Sequence, residues 1–308
     1  MNIVMLGHSS AGKTTYMAAL YHIMSNGLYD YTLRYDRWTN YWYKHFIKNN
    51  MFYTVDESEQ EGKDLEMISQ NVSKGIYPPA TAIRQEYIFK MRYKYYNEIE
   101  FNWFDYRGGA LMERSSQSSD AAELISKIKE SDALIVFLDG TKLEQSMSQN
   151  EREYRRLVYL VKSAISSISV ENDAYYPISF VITKEDLCSD VLDSKGFEYF
   201  ANNILSDIGQ SDKVAGLITC ITVNQEHIFN VHFPLFFSIY HCLHKFAEEV
   251  VASYKNRDEN RGFIDTVKEF FTDKDKNATI EAIKQLEKSH ENLHEILNER
   301  NNKSLFLI

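Results

Sequence analysis

Residues 7–14 read Gly-His-Ser-Ser-Ala-Gly-Lys-Thr, and no other stretch of the 308-residue chain restricts its fold so tightly. The octapeptide fits G-x-x-x-x-G-K-[ST] in full. It follows the apolar run Ile3-Val4-Met5-Leu6 and leads into a segment of helical character at 12–25. The chain therefore passes from a strand through a tight loop into a helix. In such a loop successive backbone N–H groups converge on an anion, and glycines stand where a side chain would block the approach. Gly7, Ser10, Ala11, Gly12, Lys13, Thr14 and Thr15 are the candidate cradle. The Lys13 ammonium is placed to reach the outer phosphates of a polyphosphate, and the Thr14 hydroxyl to ligate Mg²⁺. The positive end of the following helix points at the same anion.

The rest of the chain alternates strands and helices. Strands are expected at 2–6, 84–95, 98–105, 133–139, 178–183 and 217–223. Helices are expected at 12–25, 115–130, 149–168, 195–207 and 235–255. That alternation predicts an α/β fold, a three-layer sandwich around a mostly parallel, doubly wound sheet. The hairpin at 84–105 supplies an antiparallel edge. Residues 1–255 are read as one domain, with an insertion at about 29–76 and an extension at 256–308 expected to be helical. In the insertion, Tyr31–Tyr35 offers a further edge strand, and Trp38-Thr39-Asn40-Tyr41-Trp42-Tyr43 offers either a partner surface or packing on the domain's own flank. In the extension, Ile283, Leu286, His290, Leu293 and Leu297 are spaced as a short heptad seam, for packing on the domain or on a partner helix.

Four further motifs follow the loop in order. Gly75-Ile76-Tyr77-Pro78-Pro79-Ala80-Thr81 precedes Asp105-Tyr106-Arg107-Gly108, which ends a strand and brings a carboxylate beside the loop. Thr183-Lys184-Glu185-Asp186 ends the run Ile178–Ile182, and Ile221-Thr222-Val223-Asn224 closes the last strand. Two near-copies compete: Thr141-Lys142-Leu143-Glu144 ends in Glu, and Asp193-Ser194-Lys195-Gly196 has no strand before it.

In this order the motifs resemble those of the P-loop GTPases, the Ras-like proteins and their bacterial relatives. The Gly-x-x-Pro-x-x-Thr stretch is similar in style to bacterial GTPases of conflict and defence gene systems. The resemblance implies GTP or GDP with Mg²⁺ as ligands. Thr14, Thr81 and Asp105 would serve the metal, and Thr81 and Gly108 the γ-phosphate. Thr183, Lys184 and Asp186 would read guanine, because adenine leaves the Asp186 carboxylate unpaired. Val223 would offer an N–H to the guanine O6. The expected role is a nucleotide-dependent switch that engages a protein partner through its switch loops, the aromatic insertion or the C-terminal helices.

The sequence departs from the family at the catalytic step. Gly109 stands where many members place the glutamine that orients the attacking water, and Ser9 replaces a loop glycine. Hydrolysis by the chain alone is therefore expected to be slow, or to use His8, Arg107, Arg114 or a partner's group. Two other readings stay open: an ATPase with Asp139 as the metal-side carboxylate, and a module that binds nucleotide without turning it over. The net charge of −10 argues against duplex nucleic acid as a direct partner. Cys188, Cys220 and Cys242 are too scattered for a zinc site or a disulfide framework. With no apolar leader at the N-terminus and no bilayer-length apolar run, the reading is a cytoplasmic protein.

Overall fold

A computed structural model describes residues 1–29, 31–35, 65–79, 85–93, 98–106, 110, 113, 118–144, 147–167, 175–188, 190–205, 213–255 and 305–307. The chain opens with β1 (Asn2–Leu6) and α1 (Lys13–Ser25), followed by β2 (Tyr31–Tyr35) and α2 at 65–72. Then come β3 (Gln85–Tyr93), β4 (Glu98–Asp105), α3 (Ser119–Lys129), β5 (Ala133–Asp139), α4 (Gly140–Glu144) and α5 (Met147–Ser167). β6 (Tyr176–Thr183), α6 (Lys195–Phe200), β7 (Val214–Cys220), β8 (Thr222–Val223), β9 (Ile228–Phe229), α7 (Phe233–Lys255) and β10 (Leu305–Leu307) complete it.

The described strands form an eight-stranded sheet in the order β10-β7-β6-β5-β1-β4-β3-β2, and β8 and β9 form a separate hairpin. β4, β1, β5, β6 and β7 run parallel. β1 lies inside this parallel block, flanked by β4 and β5, so the loop after it opens where the connections turn to opposite sides of the sheet. That is where open α/β sheets place their ligands.

Both faces of the sheet are covered, which gives three layers. Residues alternate across the pleat of β1. Ile3 and Met5 pack on the side of α1 and α7, while Val4 and Leu6 pack on the side of α3, α5 and α6. All seven residues of β5 are buried, as expected of a parallel strand covered on both faces. An aromatic cluster, Tyr16 with Phe137 at 5.0 Å and Trp103 at 5.9 Å, joins α1 to the sheet behind the loop. No described helix is long and apolar enough to cross a membrane.

The expected elements are present with shifted ends, and two differences have clear causes. β7 begins at Val214, because pairing with the fully buried β6 carries Ala215 and Gly216 into the ladder despite their weak strand propensity. It ends at Cys220, and Thr222–Val223 turns away to pair with Ile228–Phe229. Leu305–Leu307 is not helical as expected. It adds antiparallel to β7, where its backbone pairs with what would otherwise be an open sheet edge. The predicted edge strand Tyr31–Tyr35 is present against β3, which places the 84–105 hairpin one strand inward. The heptad seam and the Trp38–Tyr43 stretch lie outside the described residues.

Candidate functional site

The loop after β1 is built by close approach. A Cβ on Gly7 would stand 2.9 Å from the Cβ of Phe137 on β5, so the chain can leave β1 this closely only without one. Gly12 holds φ +83°, a left-handed conformation that glycine tolerates best, and starts α1 with its carbonyl accepting from Tyr16 N at 2.8 Å. A side chain there would also meet Thr183 at 3.3 Å. Lys13 is buried, and its Nζ donates to the carbonyls of Gly7 at 2.9 Å and His8 at 3.3 Å. Burial lowers the Lys13 pKa from its ordinary value, while the nearby Asp105 carboxylate pulls it back up.

β4 delivers the acid. Asp105 pairs with Met5 of β1 in the parallel ladder, which sets its side chain beside the loop at the carboxyl ends of the strands. It is fully buried and accepts a hydrogen bond from Thr14 Oγ1 at 3.1 Å. Asp139, the alternative metal-side carboxylate, is engaged otherwise. Its Oδ1 accepts from Thr141 N at 3.1 Å and Thr141 Oγ1 at 2.7 Å, and its Oδ2 accepts from Lys184 Nζ at 2.6 Å. The acid that meets the loop threonine is Asp105.

β6 brings the second motif to the same place. Thr183 Oγ1 donates to the Ala11 carbonyl at 3.2 Å and lies 3.3 Å from that of Leu138, pinning the end of β6 to the loop. Lys184 adopts φ +59°, and the turn it starts carries Asp186 outward to solvent. Ile221 N donates to the Ile182 carbonyl at 2.8 Å, and Thr222 Oγ1 donates to Glu185 Oε2 at 2.9 Å, so the segment after β7 lies against this turn. Asn224 Nδ2 then donates to Asp186 Oδ2 at 2.9 Å.

These segments enclose one cavity of about 550 Å³. Ser9 to Thr15 line one end; Thr183, Lys184, Asp186, Leu187, Val223 and Asn224 line the other; Tyr77, Pro78 and Pro79 close the side. The volume falls within the range of small-molecule sites. For Mg²⁺ with a polyphosphate, a hydroxyl, one buried carboxylate and a buried ammonium beside a helix N-terminus make a fitting donor set, because Mg²⁺ keeps much of its shell from water and phosphate. Among the described residues, no group of three or more His, Cys, Asp and Glu side chains could hold a metal by itself.

Other candidates stand apart or out of view. His8 turns toward α5: its Nε2 donates to the Glu153 carbonyl at 3.1 Å, and its Nδ1 lies 3.9 Å from Glu153 Oε2, which also accepts from Lys142 Nζ at 3.0 Å. Burial lowers the His8 pKa. The near-copy motifs are used structurally. Lys142 and Thr141 make the contacts just given. Ser194 caps α6 by accepting from Phe197 N at 3.1 Å, with Gly196 packed against the Leu143 backbone. Thr81, Arg107, Gly108, Gly109 and Arg114 lie outside the described residues. Tyr77 and Asn224 line the cavity and were not among the expected site residues. Both lie within motifs that the sequence shows, but the contacts that make them significant join separate segments, Tyr77 reaching Val223 across 146 positions and Asn224 reaching Asp186 across 38.

The chain matches no protein-family profile and no curated protein. Among solved structures it is similar to an S. thermophilus NFeoB mutant bound to GDP, with 13% identity, 97% of this chain and 91% of that chain covered, and a TM-score of 0.34. At that looseness of superposition nothing passes from that protein to this one.

Proposed function

We propose that this chain binds GTP or GDP with Mg²⁺ and acts as a nucleotide-dependent switch that hydrolyses GTP slowly on its own. The observation that carries the reading is the single cavity that joins the phosphate loop to the Thr183–Asp186 turn. Its lining brings the phosphate-loop residues and the Thr183–Asp186 turn to one space, as a phosphate chain joined to a base requires. Lys13 would neutralise the β- and γ-phosphates, relieving the cost of its own burial. Thr14 would ligate the ion, and Asp105 would hold a water of its shell. When bound, Mg²⁺ supplies charge neutralisation across the outer phosphates.

At the other end, Asp186 would accept from guanine N1 and N2. Adenine offers N6 as a donor but an acceptor at N1, so it cannot satisfy the same carboxylate. Lys184 supports this turn through its ion pair with Asp139. The pairing accounts for Asp139 without a metal role and favours GTPase over ATPase. Thr81 and Gly108 remain the proposed sensors of the γ-phosphate. The proposed protein partner would meet the switch loops, the aromatic insertion or the C-terminal segment, and kinship with defence-associated GTPases rests on motif style alone.

Two measurements test the reading. Nucleotide released by heat from the purified protein is expected to be GDP or GTP; adenine nucleotide would overturn the base assignment. Single-turnover assays are expected to show slow hydrolysis, because Gly109 has no side chain to orient water. Turnover at about tens per second, the pace of partner-stimulated GTP hydrolysis, would show that the chain carries its own catalytic group.

A further inference from the structure

The segment 222–225 touches two different parts of the site with successive residues. Thr222 Oγ1 donates to Glu185 Oε2 at 2.9 Å, and Asn224 Nδ2 donates to Asp186 Oδ2 at 2.9 Å, so these two hold the base-side turn. The residues between and after them meet the strap at 75–79. Tyr77 Oη donates to the Val223 carbonyl at 3.1 Å, and a Cβ on Gly75 would stand 3.2 Å from the Gln225 Cβ. The short strand Thr222–Val223 and the bend that follows it thus touch both the base-side turn and the strap.

The segment is also held firmly in itself. Asn224 Oδ1 accepts from Glu226 N at 3.0 Å and His227 N at 2.8 Å, Asn224 N donates to the His227 carbonyl at 2.9 Å, and Thr222–Val223 pairs with Ile228–Phe229. With both amide ends of Asn224 engaged, its position and that of Asp186 are tied to the hairpin backbone. The strap itself is exposed at Ile76 and Tyr77, and Pro78 and Pro79 hold it extended.

We propose that the β8–β9 hairpin couples recognition of the base to closure of the strap, with Asn224 and Tyr77 as specificity-determining positioning residues. The proposal rests on the guanine-nucleotide reading given above. A base that engages Asp186 settles that carboxylate against Asn224, which fixes the hairpin and presents the Val223 carbonyl to Tyr77. A base that does not engage Asp186 leaves the hairpin without that support, and the strap closes less often. Selectivity then exceeds what contacts to the base alone provide.

The test is a double-mutant cycle on GDP affinity with Tyr77→Phe and Asn224→Asp. Asn224→Asp keeps the acceptor for Glu226 N and His227 N but replaces the donor to Asp186 by a like charge, so hairpin capping and Asp186 positioning are separated. Tyr77→Phe is expected to weaken GDP binding about three- to tenfold, the range of one modest hydrogen bond, and to lose that effect in the Asn224→Asp background. Effects that simply multiply would overturn the coupling, as would Asn224→Asp binding like the wild type. Should that variant fail to fold, hydrogen exchange on the wild type decides. At saturation, the amides of Gly75, Ile76 and Tyr77 should be better protected by GDP than by inosine diphosphate, which lacks the 2-amino group; equal protection would overturn the proposal. If the wild type bound GDP no better than ADP, the guanine reading itself would fail, a distinct result.

Discussion

The two ends of the cavity are made differently. The phosphate end comes from one stretch, residues 7–15, backed by one acid from the adjacent strand, and its key side chains Lys13 and Asp105 are buried. The base end is assembled from segments near 77, 184 and 224, and it is open: Tyr77 is 51% and Leu187 67% exposed. An anion needs backbone N–H groups and fixed charge, which a short contiguous loop on a buried strand provides. Discrimination among bases needs a few polar groups in exact register, which only tertiary contacts between distant segments supply. Disturbing the first end should therefore cost affinity for every nucleotide, and disturbing the second should change which nucleotide is preferred.

The largest effect is expected from Lys13→Ala. Loss of a charge-assisted contact to the outer phosphates should weaken GTP, ITP and ATP alike by about 100-fold, near 2.7 kcal/mol. Calorimetric titration with the three nucleotides reads this directly. Loss confined to guanine nucleotides would erase the distinction between the ends. Next comes Thr14→Ala. Removing the hydroxyl that meets Asp105 should cost about tenfold in the presence of Mg²⁺ and little in its absence. Titration with and without chelator separates the two; an equal loss under both conditions would mean that Thr14 serves the fold and not the ion.

The smallest effect concerns His8, which ties the loop to α5. Its folded pKa lies below the ordinary 6.5, chiefly through burial. The unfolded chain therefore binds the extra proton more readily, so this contribution to stability is present above about pH 6.5 and is lost as the pH falls through the lowered folded value. Thermal melts in a pH series should show that loss, and His8→Gln should flatten it. A variant with the wild-type acid slope would place the titrating group elsewhere.

The same contrast decides what was legible in the sequence. Gly7–Thr14 and Asp105 could be read because each sits at a strand end with its neighbours in sequence, and the parallel sheet brings strand ends together. The hydrophobic runs of β1, β5 and β6 marked strands for the same local reason. The base end was legible only as the Thr183–Asp186 motif. Asn224 carried no local signal of its reach to Asp186, nor Tyr77 of its reach to Val223, since both depend on how β7 ends. Leu305–Leu307 was misread as part of a helical extension because three residues carry no periodicity, and its place depends on a free edge of β7. His8 looked available because it lies in the loop; only the position of α5 shows its ring against Glu153.

The central claim, that one cavity holds the phosphates at one end and reads guanine at the other, is tested most directly by Asp186→Asn with GTP and XTP. The amide can donate where the carboxylate could only accept, which suits the 2-oxo group of xanthine. The account predicts that GTP affinity falls and XTP affinity rises, by about tenfold or more each, while affinity for inorganic triphosphate stays unchanged. Equal loss for GTP and XTP, or no change in either, would contradict it.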